Sequence, residues 1–147
     1  MKLARCSTDT TNGRKRVSAW VTWEDCNRPP CEIYFETDSR FAESLECNPD
    51  AFLVGCLIPA FVLGEARVLV EEAICPELRD GLITALMWLR HWYYRLDRKL
   101  PAIDAKVRAS ASPRATAAHH RVVAVARQFL ALEIAHLTGV EGLDQLA

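Results

Sequence analysis

"CNPDAFLVGCLIPAFVLGEARVLVEE", residues 47–72, reads as helix, turn and strand, and this succession decides the fold class. Asn48 is a good helix N-cap, Pro49 suits the first helical position and Gly64 suits the stop. Apolar residues surround the helix on nearly all sides, which predicts burial between layers. Pro59 predicts a kink or an early end, because it offers no N–H and its ring crowds the preceding turn. Val68 to Val70 then predicts an interior strand.

Upstream, Asn12-Gly13 separates two runs that can be strands, and both residues accept positive φ, so a tight hairpin turn is expected. The second arm, Val17 to Trp23, alternates as "VSAWVTW", and "EIYFET" (32–37) predicts a third strand. The prolines of "DCNRPP" mark the loop between them. Downstream, Pro76 starts a second helix, with Glu77 favourably placed in its first turn. At helical spacing Leu78, Leu82, Ala85, Leu86, Leu89, Trp92 and Tyr93 share one arc of about 120°, so the aromatic richness of "MWLRHWYY" is assigned mostly to packing. Trp88 lies beyond the edge of that arc and Tyr94 well outside it, which makes them the better contact candidates. "LPAIDAKV" predicts a further strand. These elements predict an α+β domain over 1–107: an N-terminal antiparallel meander, then α-β-α-β. A linker at 108–118 and a C-terminal helical segment at 119–147 follow. That last helix, near 119–137, is apolar on two sides and needs a second surface to cover it.

The net charge of −1 hides an uneven distribution: residues 32–80 carry −8 and residues 95–127 carry +6. Pairing between the two blocks is favoured over an anionic partner. "MKLARCSTDT" has no apolar signal region, and the longest apolar run, of 14 residues (51–64), is too short to cross a bilayer. A cytoplasmic location without membrane contact is expected, with the six cysteines reduced. Cys26 and Cys31 in "CNRPPC" have a spacing that suits two metal ligands. No second close pair completes a zinc set, and His119 and His120 are adjacent, so buried or idle thiols are the default.

Candidate chemistry is sparse. The glycines form no phosphate-binding loop, and neither a zinc-protease nor a serine-hydrolase motif is present. Glu71 and Glu72 end a strand just before a helix, a place where acid–base or metal chemistry often sits. A solvated strand end is the plainer reading. Arg90 and His91 can grip a phosphate or carboxylate. Cys75 sits at a helix N-terminus, where thiols are activated. No base stands near it in sequence.

Three segments, "IYFETDSRFAESLECNPDAFLVGCLIPAF", "GEARVLVEEAICPELRDGLITALMWLRHWYY" and "IDAKV", resemble the N-terminal part of a family of uncharacterised bacterial proteins. The downstream half of that family is similar to PP-loop ATP-pyrophosphatases of the 7-cyano-7-deazaguanine synthase-like group. The resemblance covers roughly residues 15–107 and rests on overall pattern rather than a catalytic motif. In such proteins an S-G-G-x-D-S loop is expected shortly after the strand that "IDAKV" resembles. Residues 108–147 contain nothing of that form, so no ATP-binding residue is carried over. The resemblance implies an accessory domain, and the change in character after Val107 suggests a truncated or frame-shifted relative.

Three functions follow, in order. The first is a non-catalytic accessory domain without a cofactor, contacting a partner domain, a subunit or another copy of itself through its C-terminal helix. The second is a small enzyme or ligand-binding protein with a pocket near Glu71, Glu72, Cys75, Arg90 and His91, flanked by Trp88 and Tyr94. The third is a nucleic-acid module using Arg95, Arg98, Lys99, Lys106 and Arg108.

Overall fold

The computed structural model describes residues 1–109; the expected linker beyond Ala109 and the helical segment 119–147 lie outside them. Six strands run as β1 (Lys2–Leu3), β2 (Ser7–Thr11), β3 (Arg14–Thr22), β4 (Cys31–Asp38), β5 (Arg67–Ile74) and β6 (Ala102–Val107). Helix α1 spans Pro49–Leu63 and α2 spans Pro76–Tyr93, and a short 3-10 helix at Ser39–Ser44 follows β4. This is the expected α+β class, with the strand-rich half first.

Local signals account for most element ends. Asn12 and Gly13 both take positive φ, 53° and 73°, and turn β2 into β3. Asn48 caps α1 by accepting the Asp50 N–H at 3.0 Å, and Gly64 closes the helix in the left-handed region at φ 83°. Helix α1 passes Pro59 without ending. The carbonyl that Pro59 cannot serve belongs to Gly55, an exposed position where water can replace the missing donor.

All six strands join one mixed sheet. β3 pairs antiparallel with β4 along one edge. Along its other edge it meets β2 at Arg14–Ser18 and β1 at Val21 and Thr22. β1 then pairs parallel with β5, and β5 parallel with β6. The expected three-stranded meander is therefore β2-β3-β4. The two-residue β1 is an addition that joins the meander to the parallel half.

One face of this sheet carries the core. Leu3, Val17, Ala19, Val21, Val68 and Val70 point into it and meet Phe52, Leu53, Leu57, Ala60 and Phe61 of α1. Helix α1 buries these positions at helical spacing but leaves Val54, Ile58 and Val62 only half-buried, so it is not enclosed on every side as its composition predicts. Helix α2 joins the same core through Leu86, with Leu82 and Leu89 beside it. Trp20 and Tyr34, on the opposite face of the sheet, stay exposed. No described helix is long and apolar enough to cross a membrane.

Charge closes the N-terminal end of the core. The Met1 ammonium is buried against Glu65 and donates to Glu24 Oε2 (3.1 Å) and the Arg67 carbonyl (2.8 Å). Glu65 also accepts the N–H groups of Glu24, Asp25 and Cys26. Burial pushes the Glu65 carboxyl up, but the ammonium and these amides outweigh it and hold it below the ordinary carboxylate value. Glu24 is drawn down to about 2, first by Arg67 and then by the ammonium. A carboxylate whose pKa falls on folding stabilises the fold above its unfolded value and loses that contribution as pH falls towards the folded one. Urea midpoints are therefore expected to drop between about pH 4.5 and 2. Glu24→Gln should flatten that drop, and an unchanged acid limb would remove Glu24 from the account.

The expectation of six reduced thiols fails at one pair. Cys6 and Cys47 are joined by a disulfide, with Cα atoms 6.0 Å apart. The 41-residue separation gives no hint of it in sequence; the bend after β1 brings Cys6 beside the approach to α1.

Candidate functional site

The sequence candidates fall into three places rather than one. Glu71 and Glu72 sit late in β5, beside the bend where the chain leaves β1. There the N–H groups of Arg5 and Cys6 lack strand partners on β5, and the two carboxylates supply them: Arg5 N–H donates to Glu71 at 3.0 Å and Cys6 N–H to Glu72 at 3.1 Å. Lys2 Nζ adds a 2.8 Å ion pair with Glu71. Hydrogen bonds from Lys2 and then from the Arg5 amide hold Glu71 below the ordinary carboxylate value, which suits an acceptor and not a general acid. With Leu3, Cys6, Pro49 and Phe52 the pair lines a shallow recess with a cavity volume of about 10 Å³, room for no more than a single water. That is below the ~300–1,000 Å³ of small-molecule pockets. Cys75, Arg90 and His91 do not line it.

Cys75 belongs to a second cluster, at the start of α2. Its N–H donates to Asp50 Oδ1 at 2.9 Å, and Asp50 is ion-paired with Arg108, which lies just past β6. The Arg108 side chain also donates to the Ala73 carbonyl at 3.3 Å, and its backbone N–H donates to the Ile74 carbonyl at 2.9 Å. Asp50 and Arg108 thus tie the first turn of α1 to the ends of β5 and β6. Cys75 is a free, buried cysteine, 5% exposed as a residue. Among the described residues no three His, Cys, Asp or Glu side chains gather as a metal would require. Cys31 is exposed and Cys26 half-buried, its thiol pushed up by burial and then by Glu65. Cys56 of α1 is pushed up to about 12 by burial.

The third place is the C-terminal half of α2, and here the packing expectation needs correction. Leu82, Leu86 and Leu89 pack on the core as their arc predicts, and Leu78 is half-buried. Ala85, Trp92 and Tyr93, from the same arc, are exposed. Ala85 and Trp92 lie at the edge of the arc farthest from the buried Leu86, so the layer beneath is narrower than the arc, and Tyr93, in the last turn, lies past its end. Trp88 and His91 are exposed as well, and form an aromatic cluster with Trp92 and Tyr93. The ring centroids lie 5.4 Å apart for Trp88–Trp92, 6.1 Å for Trp88–His91 and 6.5 Å for Trp92–Tyr93. Met87 and Ile83 are exposed too, but helical spacing sets them on a different side of α2 from the tryptophans.

Tyr94 behaves oppositely. The chain leaves the helix there, and its ring turns inward to meet Phe61 edge-on at 4.9 Å. Arg98 lies 5.2 Å from the Phe61 ring and 5.1 Å from that of Tyr94, and donates to the Phe61 and Val62 carbonyls at the end of α1. Arg90 in turn donates to the Arg98 carbonyl at 3.4 Å. Arg90 and Arg98 therefore satisfy backbone oxygens, and Arg108 is committed to Asp50. Of the five basic residues named for nucleic acid, Arg95, Lys99 and Lys106 remain exposed, with Arg95 paired to Asp97 at 3.4 Å.

Set against protein-family models, curated proteins and solved structures, the chain matches none. The aromatic face of α2 is the described feature with the least structural explanation of its own.

Proposed function

We propose that this chain is a non-catalytic accessory domain that works by docking, of the kind that the resemblance to PP-loop ATP-pyrophosphatase-like proteins implies. One observation carries the reading. Trp88, Trp92 and Tyr93 are more than half exposed and in mutual contact on a helix whose other side is anchored in the core. Clustered exposed aromatic residues mark interaction surfaces, because desolvating them on contact is favourable and their rings are stiff. The contact element expected from sequence, the helix near 119–137, lies outside the described residues; within them α2 takes that role. A cytosolic setting stays part of the proposal, with one observation against it: reducing compartments disfavour a bond such as Cys6–Cys47.

Oxidative footprinting of the full chain tests the reading, with Trp20 on the open sheet face as an internal reference. Trp88 and Trp92 are expected to react more slowly than Trp20 at high protein concentration, although in the single chain Trp88 is as exposed as Trp20 and Trp92 more so. Equal reactivity at every concentration overturns it. So does a melting temperature that rises with added nucleotide or metal, the signature of a ligand site.

A further inference from the structure

The Cys6–Cys47 bond joins the two ends of the meander. The stretch it closes, 6–47, holds β2, β3, β4 and the 3-10 helix. Both residues are half-buried, so the bond is partly open to solvent.

The meander has other means of keeping its place. Five register pairs hold β2 to β3, eight hold β3 to β4, and Val17, Ala19 and Val21 of β3 are buried in the core. Asn48 caps α1 and the Cys6 N–H reaches Glu72, contacts that need neither sulfur. Freed thiols also have surroundings that suit them. Cys47 Sγ lies 3.5 Å from the Ser7 carbonyl oxygen, an acceptor already in place for an S–H donor. Both cysteines pack against the edge of the core, where a reduced thiol behaves as a small apolar group.

What the bond does restrain is the chain between β4 and α1. The 3-10 helix at Ser39–Ser44 buries none of its residues. Lys15 Nζ donates to its Ala42 carbonyl at 2.8 Å, and Leu45 packs on the core just beyond it. Beside so light an attachment, a covalent tie at Cys47 is a large share of what fixes this segment. A bond that constrains one exposed segment and spares the core can open and close without global unfolding.

We propose that Cys6–Cys47 is a reversible redox clasp, opened by a dithiol reductant, that sets how tightly residues 39–47 are held. A thiolate of the dithiol attacks one sulfur and forms a mixed disulfide; its second thiolate then displaces the protein thiolate. Two electrons and two protons pass to the protein, which gains two thiols, and the dithiol leaves as a disulfide. A reducing compartment favours the open form and an oxidising one the closed form. The clasp is separate from the α2 surface, so its failure and that of docking are told apart.

Titrating the full chain with dithiothreitol tests it, with alkylation and peptide mapping to separate Cys6 and Cys47 from the four free cysteines. The bond is expected to open in native buffer and to re-form in oxidised glutathione. Trypsin should cut after the exposed Arg40 about tenfold faster in the reduced chain, because cleavage follows the population of the loosened segment. The reduced chain should melt on the order of 10 °C lower, yet still cooperatively. A double variant, Cys6→Ser with Cys47→Ser, should be cut like the reduced chain with or without dithiothreitol. A bond that yields only after denaturation overturns the proposal, as does cleavage at Arg40 that ignores the redox state. A reduced chain without a cooperative transition overturns it too, because the bond is then a staple on which folding depends. A double variant that still responds to dithiothreitol removes Cys6–Cys47 as the site.

Discussion

Glu65→Ala is expected to cost about 3–5 kcal/mol of folding stability, the range for removing one partner of a buried ion pair. The side chain is fully buried, and so is the Met1 ammonium that it faces. Its two oxygens also serve the amides of Glu24, Asp25 and Cys26, which lead from β3 into the loop before β4. Alanine leaves the ammonium with Glu24 and the Arg67 carbonyl and leaves those amides without their acceptor. Glu65→Gln keeps an acceptor oxygen and loses the charge, so it should fall between wild type and alanine. Equilibrium urea unfolding at neutral pH measures both. A loss below about 1 kcal/mol for the alanine variant would mean that this cluster is solvated rather than closed, since surface ion pairs contribute only that much.

Phe61→Ala is expected to lose a similar amount, about 3–5 kcal/mol, through lost apolar burial and the cavity left behind. Phe61 is fully buried in the last turn of α1, where its ring meets Tyr94 and the Arg98 guanidinium. Domains of this kind hold only ~5–15 kcal/mol in total, so the variant should show a large fall in urea midpoint and melting temperature. The pairing with Tyr94 is separable. A double-mutant cycle of Phe61→Ala with Tyr94→Ala should return a coupling of about 0.5–1.5 kcal/mol, as for other edge-on rings. A coupling near zero would show that Tyr94 does not pack where the structure has it.

What the sequence made legible is what local chemistry governs. Asn12-Gly13, Asn48-Pro49 and Gly64 each act through their own backbone and nearest neighbours, and each marks the boundary it predicts. Strand β1 was not legible, because two residues carry no alternation; its pairing is visible only once β3 and β5 flank it. The roles of Glu71 and Glu72 were hidden for the same reason, since their partners are amides 66 residues away. In α2 the helical period placed the leucines correctly and placed Trp88 outside the packed arc. It failed for Trp92, at the arc's edge away from Leu86, and for Tyr93, in the last turn, because periodicity carries no information about how wide or long the opposing layer is. It failed for Tyr94 because the chain changes direction at that residue. The candidate surface was thus half readable, its aromatic composition evident and its exposure not.

The parallel pairing of β1 with β5 also constrains the order of folding. Lys2 and Leu3 have their register partners at Leu69 and Val70, so β1 is flanked on both sides only once β5 has been made. The meander can zip along its Asn-Gly hairpin while the chain is still emerging from the ribosome. Met1 and Leu3, however, wait for residues 65–70 before their pocket exists. Long-range pairings of this sort carry a high loop-closure cost and slow folding. During synthesis Met1 and Leu3 therefore stay uncovered for at least as long as the ribosome takes to deliver β5.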